Sequence, residues 1–167
     1  ENAGGEYNLS TLGSVTAGNV RSSICLDGDY LYFTSQGGTN TSYIWKIPFA
    51  SIASLTSSNV AKIQLSGGSS TSTPAISGNG YIYVGTYGSS TYANNGVRAI
   101  PVSNFTASAV VNVASGTGSG TTGTNLPVQC SVIVYSVPDD TTDYVFFTTN
   151  ISGGKGYCYS FDTDDHS

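Results

Sequence analysis

The sequence predicts an all-β protein assembled from repeated antiparallel sheets. Its apolar segments are short, rich in β-branched and aromatic residues, and bounded by Gly, Asn, Asp and Ser, as strands are. No apolar pattern with a helical period continues for three turns, and the best helical stretch, residues 48–54, covers one or two turns. Of the 167 residues, 38% are hydrophobic and only 9% are charged, so the chain has enough apolar material for a packed core.

The chain repeats one order of strands three times. In each unit a short strand leads through a turn into an alternating strand that begins at a tyrosine, namely Tyr30, Tyr81 or Tyr144. After a loop rich in Gly, Ser or Asn, a third strand is expected at residues 43–48, 96–101 and 156–161. Outer strands are expected at residues 6–10, 60–66 and 109–114. Four-stranded units that recur about every 40 to 50 residues are typical of propeller blades.

The middle unit resembles the repeat of the quinoprotein-like (PQQ-like) β-propellers. The matching segments are Thr73 to Ile76, Tyr81 to Thr86 and Gly96 to Ile100, and the other two units fit more loosely. Cofactor-using members of that family carry two adjacent cysteines, a calcium ion and a recurrent tryptophan. This chain has one tryptophan, Trp45, and no adjacent cysteines. The resemblance therefore implies the cofactor-free type, used for binding or scaffolding in secreted or surface proteins of bacteria.

We expect a single domain, a partial propeller of about three blades. The expected blades are residues 16–66, 67–115 and 120–165, with residues 6–10 as an outer strand for a closing blade. Propellers close with four to eight blades, so three blades leave two apolar faces uncovered. A homo-oligomer or the remaining blades of a longer chain would cover both faces. The alternative is a twisted β-sandwich.

Few side chains suit catalysis. His166 is the single histidine and lies next to the last residue, so no Ser-His-Asp triad or His-rich zinc site is predicted. The net charge of −5 argues against a nucleic-acid partner, because such binding needs clustered Lys and Arg. The chain has no apolar run of about 18 residues, so no membrane span is predicted. We therefore expect a protein that is not an enzyme and has no cofactor.

The three cysteines are expected to be buried free thiols. Aligning the units places Cys25, Ala75 and Cys130 at one position on the first strand. The second strand separates Cys130 from Cys158, which puts the pair about 9 to 10 Å apart and beyond the reach of a disulfide.

Asp139, Asp140 and Asp143 are the candidate metal ligands, because closely spaced carboxylates can bind Ca²⁺. They do not match a calcium-loop motif, so solvated turn residues are the preferred interpretation.

The loops favour a surface role. They are rich in Tyr, Asn, Ser and Gly, as adaptable binding surfaces are, although Asn and Gly also form turns. The candidate ligand-binding residues are Tyr87, Tyr92, Asn94 and Asn95, with a protein or carbohydrate partner. The predicted function is a non-enzymatic recognition or scaffold module, extracellular or at the cell surface. The alternatives are a fragment of a quinoprotein-like enzyme whose catalytic residues lie outside this chain, and a self-assembling propeller unit with a structural role.

Overall fold

The structure, a computed structural model, describes residues 7–38, 41–65, 68–87, 95–115, 128–136, 142–151 and 155–163. In this part of the chain the regular structure is almost entirely β-strand, which confirms the predicted all-β class. The strands form three antiparallel sheets that follow one another along the sequence. Each sheet lies within one of the expected residue ranges.

The first sheet has β3 as its central strand. Its strands are β1 (Asn19–Val20), β2 (Cys25–Asp27), β3 (Tyr30–Gly38), β4 (Thr41–Pro48) and β5 (Ala61–Leu65). Strands β1, β2 and β4 pair with β3, and β5 pairs with β4.

The other two sheets have their strands in sequence order. The second contains β6 (Ala75–Ile76), β7 (Tyr81–Thr86), β8 (Gly96–Pro101) and β9 (Val111–Ser115). The third contains β10 (Ile133–Ser136), β11 (Asp143–Ile151) and β12 (Lys155–Asp162). Short 3-10 helices cover Phe49–Ser51, Val102–Asn104 and Ala107–Ala109.

The N-terminal segment corrects one expectation. Residues 7–10 do not form the outer strand that was expected at 6–10, because a short helix, α1 (Leu9–Gly13), occupies this segment. The Asn8 side chain caps the helix by accepting hydrogen bonds from the backbone N–H groups of Ser10 and Thr11, at 3.0 and 3.2 Å. Capping of this kind satisfies donors that a first helical turn otherwise leaves unpaired.

One backbone hydrogen bond recurs in all three sheets. A carbonyl at the start of the central strand or just before it accepts the bond, and the N–H of the residue just after β4, β8 or β12 donates it. The pairs are Phe49 N to Asp29 O at 2.7 Å, Val102 N to Gly80 O at 2.9 Å and Thr163 N to Asp143 O at 2.8 Å. The repeat seen in the sequence is therefore also a repeat of backbone structure.

The sheets pack face to face in chain order. Between the first and second sheets the buried core contains Tyr32, Ile44, Ile63 and Leu65 on one side, and Ile82, Val84 and Ile100 on the other. Between the second and third it contains Tyr83, Val97 and Ala99 against Val128, Val132, Val145 and Phe147. Because side chains alternate along a strand, β7 in the second sheet sends Ile82 and Val84 toward the first sheet and Tyr83 toward the third.

The far face of the first sheet is covered, contrary to the expectation of two uncovered faces. Its buried side chains are Leu31, Phe33, Tyr43, Trp45 and Ile47. Leu9, Val15 and Ala17 from the N-terminal segment pack on them, as do Leu55 and Val60. The stack therefore has one capped end.

Candidate interaction surface

The third sheet has an exposed face at positions that are buried or half-buried in the other two sheets. The strand registers pair Cys25 with Tyr32, Ala75 with Tyr83, and Ile133 with Phe146, which makes these pairs equivalent. Tyr32 and Tyr83 are fully buried, whereas 37% of Phe146 and 63% of Ile133 are exposed. The third sheet therefore exposes an apolar pair, Ile133 and Phe146, at these equivalent positions.

The third strands show the same contrast. Ile44 and Val97 are fully buried and face the following sheet. The pairing of Cys158 with Thr148 on β11 makes Cys158 their equivalent, and Cys158 is exposed. We define the open face as the solvent-facing side of the third sheet that carries Ile133, Tyr135, Phe146, Thr148 and Cys158.

A shallow cavity of about 250 Å³ lies in the open face. It is lined by Cys130, Ser131, Ile133, Phe146, Phe147, Thr148 and Cys158, none of which is charged. This volume is below the range of about 300 to 1,000 Å³ that small-molecule sites usually have. Its size and lining fit an inserted apolar side chain better than a cofactor.

Cys130 beside this cavity takes a role that a serine has in the first sheet. Its sulfur accepts from the Thr148 N–H at 3.3 Å and contacts the Thr148 carbonyl at 3.4 Å. Ser22 Oγ bonds to the N–H and carbonyl of Thr34 in the same way, at 2.8 and 3.2 Å. Cys130 is therefore equivalent to Ser22, and the expected alignment with Cys25 and Ala75 is wrong by three residues.

The cysteines are free in the structure, but they are less buried than expected. Cys25 and Cys130 are half-buried, and Cys158 is exposed. The expectation of a buried thiol is therefore wrong for Cys158.

Two of the four candidate ligand-binding residues, Tyr87 and Asn95, lie among the described residues. Tyr87 is half-buried, and its backbone forms a bridge with Ser69 through hydrogen bonds of 2.8 and 2.9 Å. Asn95, just before β8, is fully buried and does not offer its amide to a ligand at the surface. Tyr92 and Asn94 lie outside the described residues.

Asp143 is a structural residue in a buried position, which corrects its interpretation as a solvated turn residue. Its carboxylate accepts a hydrogen bond from the Gly78 N–H, which links the third sheet to the turn of the second. Its own N–H donates to Thr163 Oγ1 at 3.2 Å.

Asp139, Asp140 and His166 lie outside the described residues. Within the described ranges, no group of three His, Cys, Asp or Glu side chains is placed to hold a metal ion.

Lys46 occupies an aromatic cluster where the first and second sheets meet. Its Nζ lies 4.2 Å from the centre of the Tyr30 ring and within 6 Å of the rings of Tyr32 and Phe105. It donates to the Val102 carbonyl across the sheet junction, at 3.3 Å. Burial lowers the pKa of Lys46, and the Asp27 carboxylate opposes that shift. The ammonium thus joins two sheets through cation–π contacts and one hydrogen bond.

The Tyr32 hydroxyl leads to a prediction about pH. It is buried without a hydrogen-bond partner among the described residues. Burial, with the nearby Asp27 carboxylate second, raises the pKa of Tyr32 from 10.0 to about 12. Between these values the unfolded chain loses a proton that the folded chain keeps, so stability falls as the pH rises.

Tyr32→Phe is expected to raise the free energy of unfolding at pH 7 by up to about 1 kcal/mol, since it removes an unpaired buried polar group. It should also flatten the loss of stability between pH 10 and 12. Urea unfolding over this pH range measures both effects, and Tyr135→Phe, at an exposed tyrosine, is the control at pH 7. A Tyr32→Phe protein that is less stable than wild type would show that the hydroxyl has a partner.

Comparison of the chain with protein-family models and with curated proteins gives no match. No helix in the described ranges has the length and apolar character needed to cross a membrane.

Proposed function

We propose that the protein is a non-enzymatic recognition and scaffold module of the β-propeller type, extracellular or at the cell surface. The observation that supports this most strongly is the open face, where Phe146 is exposed while its equivalents Tyr32 and Tyr83 are fully buried, and where Ile133 is more exposed than its half-buried equivalents. Contiguous exposed apolar patches on folded domains commonly mark interaction sites. The working surface of the module is therefore the open face of the third sheet.

The stacking of the sheets supports a scaffold role. Two broad apolar cores hold the three sheets in one order. One end of the stack is covered by the N-terminal segment, and the other end is the open face. Such a stack receives a partner at one defined end.

The charges are also consistent with a protein partner. The chain carries 10 acidic and 5 basic residues, and the lining of the open-face cavity has no charged side chain. Burying this patch therefore brings no unpaired charge out of water, which is a main cost of forming an interface. An acidic surface with only five Lys and Arg also supports a location outside the cell, the proposal made from composition.

The test is a polar substitution of the open face. Ile133→Ser combined with Phe146→Ser is expected to leave the melting temperature within about 2 °C of wild type, since exposed side chains contribute little to stability. It should also reduce binding of the dye ANS, which reports exposed apolar surface. The matched control, Ala75→Ser with Tyr83→Ser at the equivalent positions of the second sheet, should lower the melting temperature. If the third-sheet variant unfolds as readily as the control, the face belongs to the protein's own core and the proposal is wrong.

A further inference from the structure

We infer that the partner of the open face is another antiparallel sheet with the side-chain pattern of this protein's own second sheet. The inference rests on the proposed function and names the partner of that surface. It is drawn from the contacts that the three sheets already make with one another.

A chain of hydrogen bonds links equivalent positions of successive sheets. Ser23, Thr73 and Ser131 each stand two residues before an equivalent strand of their sheet, namely β2, β6 or β10. The Ser23 N–H donates to Thr73 Oγ1 at 2.9 Å, and the Thr73 N–H donates to Ser131 Oγ at 3.2 Å. Each sheet thus gives an N–H to a hydroxyl of the sheet that follows it.

This chain of bonds is open at Ser131. The residue is exposed, and its N–H occupies the position of the donor in the first two links. If the pattern of the first two links continues, the acceptor for the Ser131 N–H is a Ser or Thr hydroxyl of a further sheet. That hydroxyl would stand two residues before the strand equivalent to β2, β6 and β10. This donor lies beside the apolar cavity, since Ser131 also lines it.

A second polar link joins the first sheet to the second, where the residue equivalent to its donor is Gly85. Thr34 on β3 donates its hydroxyl to the Ser72 carbonyl of the second sheet at 2.9 Å. The strand registers make Thr148 on β11 the equivalent of Thr34, and Thr148 is exposed on the open face. A following sheet would therefore offer a backbone carbonyl to Thr148.

The apolar part of the contact is defined by the first interface. There Tyr32 packs in one core with Ile82, Val84 and Ile100 of the next sheet. Phe146 is the equivalent of Tyr32, so its matching partner presents branched aliphatic side chains at those three positions. Branched aliphatic side chains of this size also suit the cavity beside Ile133.

A second copy of the chain fits this pattern poorly. Its face of the required kind is that of the first sheet, with Leu31, Phe33 and Ile47. Leu9, Val15 and Ala17 of its own N-terminal segment already cover that face. The partner is therefore a sheet whose aliphatic face is free.

The test uses Cys158 as a reporter on the open face. The full chain is extended at its C-terminus by a flexible Gly/Ser linker and one additional copy of residues 68–115, a segment without cysteine. Docking of the added sheet should slow the reaction of Cys158 with a thiol reagent at least tenfold. It should also slow amide exchange at Ser131.

The matched control carries Ile82→Asp and Val84→Asp in the added copy only, and it should leave Cys158 as reactive as in the unextended chain. Equal reactivity of Cys158 in the extended and unextended chains overturns the inference, and so does an equal slowing by the control. A loss of reactivity in the unextended chain that grows with protein concentration assigns the face to a second copy and also overturns it. In all three cases the proposed function stands if Ile133→Ser with Phe146→Ser remains folded, so the two failures are distinguishable.

Discussion

Trp45→Ala is expected to lower the free energy of unfolding by about 4 kcal/mol, because it empties a large space in a closely packed core. The indole on β4 is fully buried. It stacks on Phe33 with ring centres 6.3 Å apart and contacts the Tyr43 ring at 6.1 Å. Its Nε1 also donates to Ser35 Oγ at 2.8 Å. Urea unfolding followed by far-UV circular dichroism measures the loss.

Two further variants separate the packing of Trp45 from its hydrogen bond. Ser35→Ala leaves the buried indole N–H without its acceptor and should cost about 1 to 2 kcal/mol. Gly13→Ala tests the contact with α1, since a Cβ at Gly13 would lie 2.5 Å from the Trp45 ring.

The Gly13 change should destabilise the wild-type chain but be nearly neutral in Trp45→Ala, where that space is empty. Such non-additivity is expected only of residues in contact. A Trp45→Ala protein that loses less than about 1 kcal/mol would contradict the capped end of the stack.

The central repeat could be predicted because its strands carry their own pattern. Tyr81 starts an alternating strand after a Gly-containing turn, and residues 96–101 end at a proline that stops the strand. The structure gives β8 these same bounds. Local propensity and alternation are sufficient where a strand lies between two others and both faces are buried.

The N-terminal segment could not be predicted in this way. Residues 6–10 alternate apolar and polar side chains as a strand does, but Asn8 is also a good helix cap. The position of this segment depends on the far face of the first sheet, against which Leu9 packs. A contact between distant parts of the chain therefore decides the local structure.

The candidate surface required the strand registers. Comparison of the sequence repeats aligns Cys130 with Cys25, because both residues are small and apolar and both precede the alternating strand. The longer turn of the third unit hides the shift of three residues, which the pairing of Ile133 with Phe146 reveals. Asn95 is fully buried, although asparagine is typical of loops. The open face is recognised only by comparing equivalent positions in the three packed sheets, so no single sequence segment predicts it.

Gly85→Val is expected to destabilise the chain by about 3 kcal/mol through steric conflict between the second and third sheets. A Cβ at Gly85 would lie 2.5 Å from Cγ1 of Val128 and 2.8 Å from the Val128 carbonyl oxygen. The Val128 side chain has limited room to move because it is fully buried in the core between these sheets. The Val128 backbone is held as well, since its N–H donates to the Thr86 carbonyl at 3.0 Å.

The control for this change is Gly38→Ala, at a strand end where an added Cβ meets no atom within 4 Å. It should change the free energy of unfolding by no more than about 0.5 kcal/mol. Combining Gly85→Val with Val128→Ala should recover only part of the loss, because the conflict with the carbonyl oxygen remains. Amide exchange should then rise first at Val145 and Phe147 on β11, which pack against the second sheet. Wild-type stability of Gly85→Val would mean that the second and third sheets do not pack as described. The interpretation of the open face as an interaction surface would then also be wrong, because the comparison with the buried faces depends on that packing.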